Sequence, residues 1–392
     1  MNPRRVLFVH DVLGDLGGAE ANVRTSARGL RERGIEVAFL HGPGTGVGEE
    51  AFQSIFSERF PWGDGAAKAW EAAKAWGPTV VYIHKLMEVD LLERIAASGL
   101  PVAHMVHDHH LFCPRGYRYF PWNRQPCTKR AGYGCALTCS VQRARGGLFP
   151  VRLVWPGATL RALEIHRGFA RHVVATRYMR DELLLNGFEA SRIDILPPAA
   201  RPAPEDFVPA LDQPQVVFAG QLIRGKGCDV LLQALARLRC PDWTCTVIGD
   251  GDQRSALEAQ VTQLGLQGRV TFTGWIPQDR LFAEYGHARV GVVPSMWPEP
   301  MGGIGIEFQQ HGLPVVAFDA GGIRDWLHDG EDGLLVPYGD EAGLAVALDR
   351  LLADRELAMR LGAAGRAGAA LRHGHADYLA RLEGLLTGIA AP

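Results

Sequence analysis

The chain lacks several features that would identify other classes of protein. No uninterrupted apolar run approaches the roughly 20 residues that a membrane-spanning helix needs, and there is no long internal repeat or low-complexity tract. The N-terminus also lacks a signal-peptide pattern, because Arg4 and Arg5 lead into only four apolar residues before His10 and Asp11. We therefore expect a globular cytoplasmic protein.

Length and composition agree with this expectation. Hydrophobic residues make up 47% and charged residues 21% of the 392 positions, and the net charge is −2. These are globular values, and the length is sufficient for two domains with a core each. We expect no nucleic-acid partner.

The small net charge hides an asymmetry between the two halves. Residues 1–200 contain 25 Lys and Arg against 19 Asp and Glu, whereas residues 201–392 contain 16 against 24. Residues 115–180 contain 13 basic residues and one acid, Glu164. Such a stretch would attract an anionic membrane surface or a pyrophosphate-bearing acceptor. The alternative is a set of solvated basic helices without a ligand.

The chain opens with a strand, a glycine-rich turn and a helix. Residues 4–13 are predicted as a strand with apolar residues at 6–9, 12 and 13, glycines cluster at positions 14–18, and apolar positions then recur through Leu30. Ligands of open α/β sheets bind at the carboxyl ends of strands, where this turn lies. The turn contains Gly17 and Gly18 but not the GxGxxG pattern, and an ordinary tight turn would use glycine as well.

A group of histidines follows the buried strand predicted at residues 101–106. His107 and Asp108 stand directly after this strand, with His109 and His110 next. A histidine at the carboxyl end of a central parallel strand lies where the crevice of an α/β fold forms. We therefore predict that His107 lines an active site, the alternative being a structural histidine.

Four of the seven cysteines cluster within 27 residues, with 13, 7 and 3 residues between them: Cys113, Cys127, Cys135 and Cys139. The segment is rich in proline and glycine and has little core of its own. In a reducing cytoplasm, clustered thiols favour a structural zinc or, less strongly, an iron–sulfur cluster. Free or disulfide-bonded cysteines remain the alternative, since a count cannot settle ligation.

The loop at residues 115–124 alternates arginines with aromatic residues. Aromatic faces stack on sugar rings and arginine pairs with phosphate. We predict Arg115, Tyr117 and Arg118 as acceptor-binding residues. The alternative is that this loop packs on itself.

A proline-rich stretch separates the two halves, with six prolines in residues 197–214. It reads as an interdomain linker. The predicted organisation is a first domain at 1–200 with a cysteine-containing insert at 109–150, a linker at 201–213, a second domain at 214–370, and a final helix at 371–392.

The second half repeats the pattern of strands followed by glycine-rich turns. Arg224 and Lys226 lie in the turn after the strand at residues 215–220, where a cation would neutralise a pyrophosphate leaving group. Gly249 follows the next strand and would let the backbone approach a nucleotide.

The residues from 294 to 307 carry the strongest signal for a binding site. A short β-branched run leads into Glu299, then Gly302 and Gly303, and then into a helix that contains Glu307. Unpaired amides and the positive end of a helix dipole bind phosphate, while carboxylates accept from sugar hydroxyls. This combination describes a nucleotide-sugar site, although the two acids could also lie on a solvated face.

These residues resemble the donor-site signature of the retaining family 4 glycosyltransferases with the GT-B fold. The resemblance rests on Pro294-Ser295, Glu299-Pro300-Met301-Gly302 and Glu307, and on the following Gly312-Leu313-Pro314 with Gly321-Gly322. It extends, with gaps, from about Val6 to about Leu351. It implies an α/β fold of two doubly wound, Rossmann-like domains that face a central cleft. The first domain would bind the acceptor and the second the nucleotide sugar, and the final helix would pack back across both.

The resemblance also implies roles for individual residues. Glu299 would hold hexose hydroxyls, Glu307 the ribose, and His107 the sugar near the reacting carbon. The remaining donor-binding residues that the resemblance supports are Gly17, Gly18, Arg224, Lys226, Gly249, Ile276, Gly302, Gly303 and Ile304. Gln221 stands where the family usually has an arginine, and Arg224 is the candidate to supply that charge.

The implied reaction moves a hexose from a UDP- or GDP-linked donor to a carbohydrate or lipid-linked acceptor, with no cofactor needed for catalysis. The basic region at 115–180 would then place the protein at the inner face of the membrane. The alternatives are a sugar-nucleotide epimerase or phosphorylase of the same fold, and a non-catalytic nucleotide-sugar-binding scaffold protein, which Gln221 favours.

Overall fold

The computed structural model describes residues 5–63, 65–143, 151–200, 203–204 and 207–390. Residues 144–150 of the predicted insert, four residues of the predicted linker (201, 202, 205 and 206) and residues 391–392 of the predicted final helix lie outside this part.

The chain divides into two compact units. Unit 1 comprises residues 1–120, 127–199 and 375–392, and unit 2 comprises residues 121–126 and 200–374. Residues 121–126, which the sequence assigned to the insert of the first domain, belong to unit 2. Within that unit, Arg124 forms an ion pair with Asp229 at 2.6 Å, and the hydroxyl of Tyr338 donates to the Arg124 carbonyl.

In its described part, unit 1 contains one parallel sheet of seven strands in the order β3-β2-β1-β4-β5-β8-β9. The β-branched and aromatic residues of the central strands are buried on both faces, as a parallel sheet requires. The strands are β1 Arg5–His10, β2 Glu36–His41, β3 Glu58–Pro61, β4 Val80–Lys85, β5 Val102–Val106, β8 Arg171–Val174 and β9 Ile193–Ile195.

Helices cover both faces of this sheet. One face packs against α1, α2 and the C-terminal helix α14, and the other against α3, α4 and α6. The helices of unit 1 are α1 Gly18–Glu32, α2 Glu49–Ile55, α3 Ala66–Ala75, α4 Val89–Ala97, α5 Cys135–Cys139, α6 Gly157–Arg167, α7 Arg177–Leu185 and α14 His375–Ala390. An antiparallel hairpin of β6 Val141–Arg143 and β7 Val151–Leu153 adjoins α5.

Unit 2 repeats the architecture. Its described residues form a parallel sheet of six strands in the order β12-β11-β10-β13-β14-β15, with helices around a single core. The strands are β10 Gln215–Ala219, β11 Thr244–Ile248, β12 Val270–Gly274, β13 Val290–Val293, β14 Val315–Phe318 and β15 Gly333–Val336. The helices are α8 Cys228–Leu235, α9 Arg254–Gln263, α10 Gln278–His287, α11 Gly303–Gln310, α12 Glu341–Ala353 and α13 Arg355–Arg372. The predicted α/β class with two doubly wound, Rossmann-like domains is confirmed.

The predicted metal site of the cysteine-containing insert is not supported by the structure. Within the described residues, no group of three or more His, Cys, Asp and Glu side chains is arranged to hold a metal ion, and all seven cysteines, each of them described, are free. The structure therefore does not support the predicted zinc or iron–sulfur site of Cys113, Cys127, Cys135 and Cys139.

A buried ion pair of Arg118 holds this insert. The side chain of Arg118 is 3% exposed, its Nε donates to Glu182 of α7 over 2.7 Å, and its Nη1 donates to the Lys129 carbonyl over 2.6 Å. Nη1 also lies 3.6 Å from the sulfur of Cys127, so this thiol contacts a guanidinium. The insert is thus fixed to the sheet layer by a charge pair that spans 64 positions in sequence.

The structure places no membrane-spanning helix in the described residues, because none there is both long and apolar enough.

Unit 1 contains a group of seven histidines, of which His107 is half-buried and the others are buried: His10, His84, His104, His107, His109, His166 and His172. Burial lowers the pKa of every member, to about 3 for His10 and to about 4 for His107 and His172. The native state therefore keeps these rings neutral at pH values where an unfolded chain, with histidine pKa values near 6.5, would bind protons.

We predict that the free energy of unfolding falls as the pH is lowered from about 7 to about 5, because each such histidine contributes a slope of up to about 1.4 kcal/mol per pH unit. Urea titrations at a series of pH values measure the slope. His172→Leu should reduce this slope by the contribution of one histidine. His375→Leu, which replaces an exposed histidine, should leave the slope unchanged. A flat profile over this range, or equal slopes for the two variants, would contradict the assignment.

Candidate functional site

Three strands of unit 1 end in polar residues at the same edge of the sheet. His10 is the last residue of β1, Lys85 is the last of β4, and His107 and Asp108 follow β5. Because β1, β4 and β5 are neighbouring parallel strands, these carboxyl ends meet. They border a pocket whose lining includes His84, Lys85, His107 and Asp108.

His107 is held by a second histidine. Its Nε2 lies 2.9 Å from Nδ1 of His84, and the two rings stack with centroids 5.1 Å apart and planes at 24°. Burial lowers the pKa of His107 to about 4, so the ring is neutral at pH 7. It can donate or accept a hydrogen bond, and it carries no charge.

Asp108 supplies the negative charge at this edge. The backbone amide of His110 donates to Asp108 Oδ1 over 2.8 Å, the His110 ring nitrogen Nδ1 lies 2.9 Å from the same oxygen, and Lys85 Nζ lies 3.8 Å from Oδ2. Burial acts to raise the pKa of Asp108, but His110 and Lys85 outweigh it and hold the pKa well below its usual range. Asp108 is therefore a fixed anion beside a neutral imidazole.

Gly17 and Gly18 precede and begin the helix α1. Both are exposed, and a Cβ built at Gly18 would have no heavy atom within 4 Å. Packing within the described residues thus does not require glycine at position 18, and the amino end of α1 is open. Behind it, His10 Nε2 lies 3.4 Å from Glu20 Oε1, within ion-pair distance but without hydrogen-bond geometry.

In unit 2, the predicted cation and carboxylate lie together. Lys226 Nζ donates to Glu299 Oε1 over 2.8 Å, and it lies 4.9 Å from the centroid of the Trp297 ring. The hydroxyl of Ser295 donates to the same oxygen of Glu299. Glu299 is 3% exposed, and its buried carboxylate is stabilised by these two partners.

The amino end of α11 lies next to Glu299 in the chain. Gly302 caps this helix with a φ of +78°, a conformation that glycine adopts without strain. Gly303 and Ile304 form the first turn, where backbone N–H groups have no partner inside the helix. No heavy atom lies within 4 Å of a Cβ built at Gly303, so this end of the helix is open in the described part of the chain.

Glycine is required at position 321, in the segment that contacts the backbone of Glu299. Gly321 has a φ of +64°, and a Cβ there would lie 2.5 Å from the carbonyl oxygen of Glu299. Gly322 donates its amide to that carbonyl over 2.7 Å. The Gly321-Gly322 pair therefore permits the close approach that fixes the backbone of Glu299.

Glu307 lies in the second turn of α11. Its Oε1 accepts a hydrogen bond from the hydroxyl of Tyr285 over 3.1 Å, and the side chain is half-buried. Tyr285 belongs to α10 and is fully buried. The carboxylate is thus oriented by a neighbouring helix.

The other predicted donor residues differ in their surroundings. Arg224 is exposed, and its Nη1 donates to the Pro121 carbonyl over 2.8 Å, within unit 2. Gly249 has a φ of +124°, and a Cβ there would lie 2.0 Å from the Gly220 carbonyl oxygen, so the backbone itself requires glycine. Ile276 is partly buried against the core.

The three predicted acceptor residues differ in how deeply they are buried. Arg118 is a structural residue, because Glu182 engages its buried guanidinium, and this corrects the predicted role. Arg115 is half-buried and donates to the Val141 carbonyl over 3.1 Å. Tyr117 is 36% exposed.

Sequence reasoning missed several residues of these clusters: His10, His84, Lys85, Ser295 and Tyr285. His10 and Lys85 end strands β1 and β4, so the rule that identified His107 also applies to them, whereas His84 lies inside β4. Ser295 belongs to the motif that carries the resemblance, but the sequence does not show its contact with Glu299. Tyr285 has no such signal, because its importance depends on its contact with Glu307.

Two protein-family descriptions match the chain. "Glycosyltransferase Family 4" matches residues 16–203 and "Glycosyl transferases group 1" matches residues 202–368. Together they cover both units, from the turn at Gly17 to helix α13.

Similar proteins of known name include glycosyltransferases. The chain is 38% identical over 155 residues to the lipopolysaccharide core biosynthesis glycosyltransferase LpsE of Rhizobium meliloti, a match that covers 39% of this chain and 44% of LpsE. It is 28% identical over 315 residues to the 2-deoxystreptamine N-acetyl-D-glucosaminyltransferase of Streptomyces fradiae, covering 74% of this chain and 69% of that protein. The match to LpsE thus spans less than half the length of that relative.

Solved structures share the fold. The Anabaena protein HepE, solved in complex with UDP and glucose, superimposes with a TM-score of 0.74 at 20% identity, covering 98% of this chain and all of HepE. With a family match in each unit and this fold, the chain belongs to the family 4, group 1 glycosyltransferases of the GT-B fold.

Proposed function

We propose that this protein transfers a hexose from a UDP- or GDP-linked sugar to a carbohydrate, lipid-linked or small-molecule acceptor, with retention of configuration, in polysaccharide or glycoconjugate biosynthesis. The observation that carries the proposal is the cluster in unit 2. There, a lysine paired with a buried carboxylate adjoins a helix that begins at an open glycine.

The donor is proposed to bind to this cluster. The amides of Gly302, Gly303 and Ile304 and the charge of Lys226 would hold the diphosphate, since N–H groups and the helix dipole favour anions there. Glu299 would accept from hexose hydroxyls and Glu307 from the ribose. Arg224 is proposed to add a second positive charge to the diphosphate.

The ammonium group of Lys226 donates to the Glu299 carboxylate. When a diphosphate binds, it would compete with Glu299 for the ammonium group. Glu299 would then become available as an acceptor for sugar hydroxyls, so donor binding and orientation of the carboxylate are coupled in this proposal.

The reaction breaks the bond between the anomeric carbon and the phosphate oxygen and forms one between that carbon and the acceptor oxygen. The proton of the acceptor hydroxyl passes to an oxygen of the departing diphosphate. His107 is proposed to contact the hexose, and Arg115 and Tyr117 to contact the acceptor. The charge of the leaving diphosphate is stabilised by Lys226 and the α11 amides.

A second candidate is a protein that binds a nucleotide sugar without turning it over. Gln221 favours it, because this exposed side chain stands at a position next to the candidate diphosphate turn where a cation is expected. Binding of the donor without release of nucleoside diphosphate would identify this function.

We predict that one nucleoside diphosphate series, UDP or GDP, raises the melting temperature of the protein and binds in calorimetry. Glu307→Ala should weaken that binding roughly tenfold to a hundredfold, because hydrogen bonds to a charged group contribute about 1.5–3 kcal/mol. Its melting temperature without ligand provides the baseline, since the substitution also removes the acceptor of the Tyr285 hydroxyl.

Glu331→Ala is the matched control, since it removes an exposed acid of unit 2 and should leave binding unchanged. If no nucleotide binds the wild type, or if both variants bind equally, the proposed donor site is wrong.

We also propose that the protein works at an anionic membrane surface. Five large apolar side chains around α5 and the β6–β7 hairpin are exposed, by 59% to 90%, and we call them the hairpin patch: Tyr133, Leu137, Val141, Leu153 and Trp155. Val141 and Leu153 are directly opposed in the hairpin, and the rings of Tyr133 and Trp155 lie 6.0 Å apart, so these pairs are neighbours.

Basic residues near the hairpin patch favour an anionic lipid surface as its partner. Lys129 and Arg130 are exposed just before Tyr133, and Arg115 donates to the Val141 carbonyl at the edge of the patch. Apolar and aromatic side chains next to basic ones suit the boundary between acyl chains and anionic head groups.

We predict that the protein floats with vesicles that contain phosphatidylglycerol, and less so when the salt concentration is raised. Leu137→Ser should weaken this binding roughly tenfold, since it removes about 1–2 kcal/mol of apolar burial. Leu371→Ser is the control, because Leu371 is 83% exposed but lies on α13 in unit 2. Equal binding by both variants, or a dimer in place of vesicle binding, would contradict the proposal.

A further inference from the structure

His84 lines the unit 1 pocket and is closely packed. Its side chain is 2% exposed and stacks on Phe8, with centroids 5.5 Å apart and planes at 19°. The ring of Tyr82 meets it edge-on at 4.4 Å. The ring cannot turn without displacing these neighbours, so the direction of its Nδ1 is fixed by packing.

This fixed nitrogen faces His107. Nδ1 of His84 and Nε2 of His107 are 2.9 Å apart, which is hydrogen-bond distance and requires one proton between the two atoms. Burial lowers the pKa of both rings, so each is neutral at pH 7 and carries one proton. Two arrangements follow, with the shared proton on His84 or on His107.

The other nitrogen of His84 distinguishes the two arrangements. Its Nε2 is buried and has no hydrogen-bond partner among the described residues. If His107 donated the shared proton, His84 would carry its own proton on Nε2, as a buried donor without an acceptor. Orphaned N–H donors are rarer in protein interiors than under-used acceptors, so the shared proton belongs to His84.

We propose that His84 is a positioning residue that donates its Nδ1–H to His107 and thereby keeps the proton of His107 on Nδ1. His107 then offers a neutral N–H donor to its ligand, and its Nε2 is occupied and cannot act as a base. The identification of this ligand as a hexose hydroxyl rests on the proposed function. The tautomer does not depend on it.

The surrounding charges are compatible with this arrangement. Lys85 acts against a second proton on His107, whereas Asp108 acts in its favour. His10, the third ring at this edge, also acts against protonation of His84. The pair therefore stays neutral, and a neutral donor can bind a sugar oxygen without attracting the diphosphate.

The tautomer can be observed directly. In protein labelled with ¹⁵N-histidine, long-range ¹H–¹⁵N spectra distinguish rings protonated on Nδ1 from rings protonated on Nε2. The His107 signals are assigned by their absence in His107→Gln. We expect His107 to carry its proton on Nδ1 in the wild type, and a proton on Nε2 would overturn the proposal.

Substitutions test the positioning role. His84→Asn keeps an N–H donor near the place of Nδ1, whereas His84→Leu removes it, and His172→Leu removes a buried histidine of unit 1 outside the pocket lining. With the nucleotide sugar that the protein binds, we measure the rate at which nucleoside diphosphate is released. We expect His84→Leu to lower kcat roughly tenfold with little change in KM for the donor, and His84→Asn to recover most of the loss.

The control His172→Leu should retain the wild-type kcat. Equal loss in the Asn and Leu variants, or a wild-type kcat in His84→Leu, would contradict the positioning role. If the wild type binds no nucleotide sugar, the proposed function fails, and the spectra still decide the tautomer. If His84→Leu does not fold, the Asn variant and the spectra carry the test.

Discussion

Parallel strands can be joined only by crossover connections, and in both units most of those connections contain helices that return along the faces of the sheet. This constraint places the carboxyl end of every strand and the amino end of the helix that follows it at the same edge. In unit 1 it brings His10, Lys85 and His107 together from three neighbouring strands. In unit 2 it brings the turn that carries Lys226 next to Glu299 and the start of α11. The chemistry of both clusters follows from this arrangement of ends.

The two clusters use burial in different ways. In unit 2, the carboxylate of Glu299 is 3% exposed and accepts hydrogen bonds from Lys226 and Ser295. In unit 1, His84 and His107 lose their charge through burial, and the pair keeps a single shared hydrogen bond. A charged cluster suits a diphosphate, and a neutral donor suits a sugar hydroxyl. The difference supports separate roles for the two units in the proposed reaction.

Much of this arrangement could be predicted from the sequence, because the relevant signals are local. The order of strand, glycine turn and helix predicted the doubly wound class, and Glu299, Gly302 and Glu307 lie within one such segment. The insert shows the limit of local signals. Four clustered cysteines indicated a metal, but the contact that fixes the loop joins Arg118 to Glu182, a residue far along the chain. His84 was missed because a histidine inside an apolar strand has the same pattern as a core residue.

The central claim is that unit 2 binds the diphosphate of a nucleotide sugar at the amino end of α11. A crystal structure of the full chain with bound UDP or GDP tests it most directly. The account predicts the β-phosphate within hydrogen-bond distance of the Gly303 or Ile304 amide, with Lys226 Nζ turned from Glu299 to the phosphate. A nucleotide bound elsewhere, with the pair of Lys226 and Glu299 intact, would contradict it.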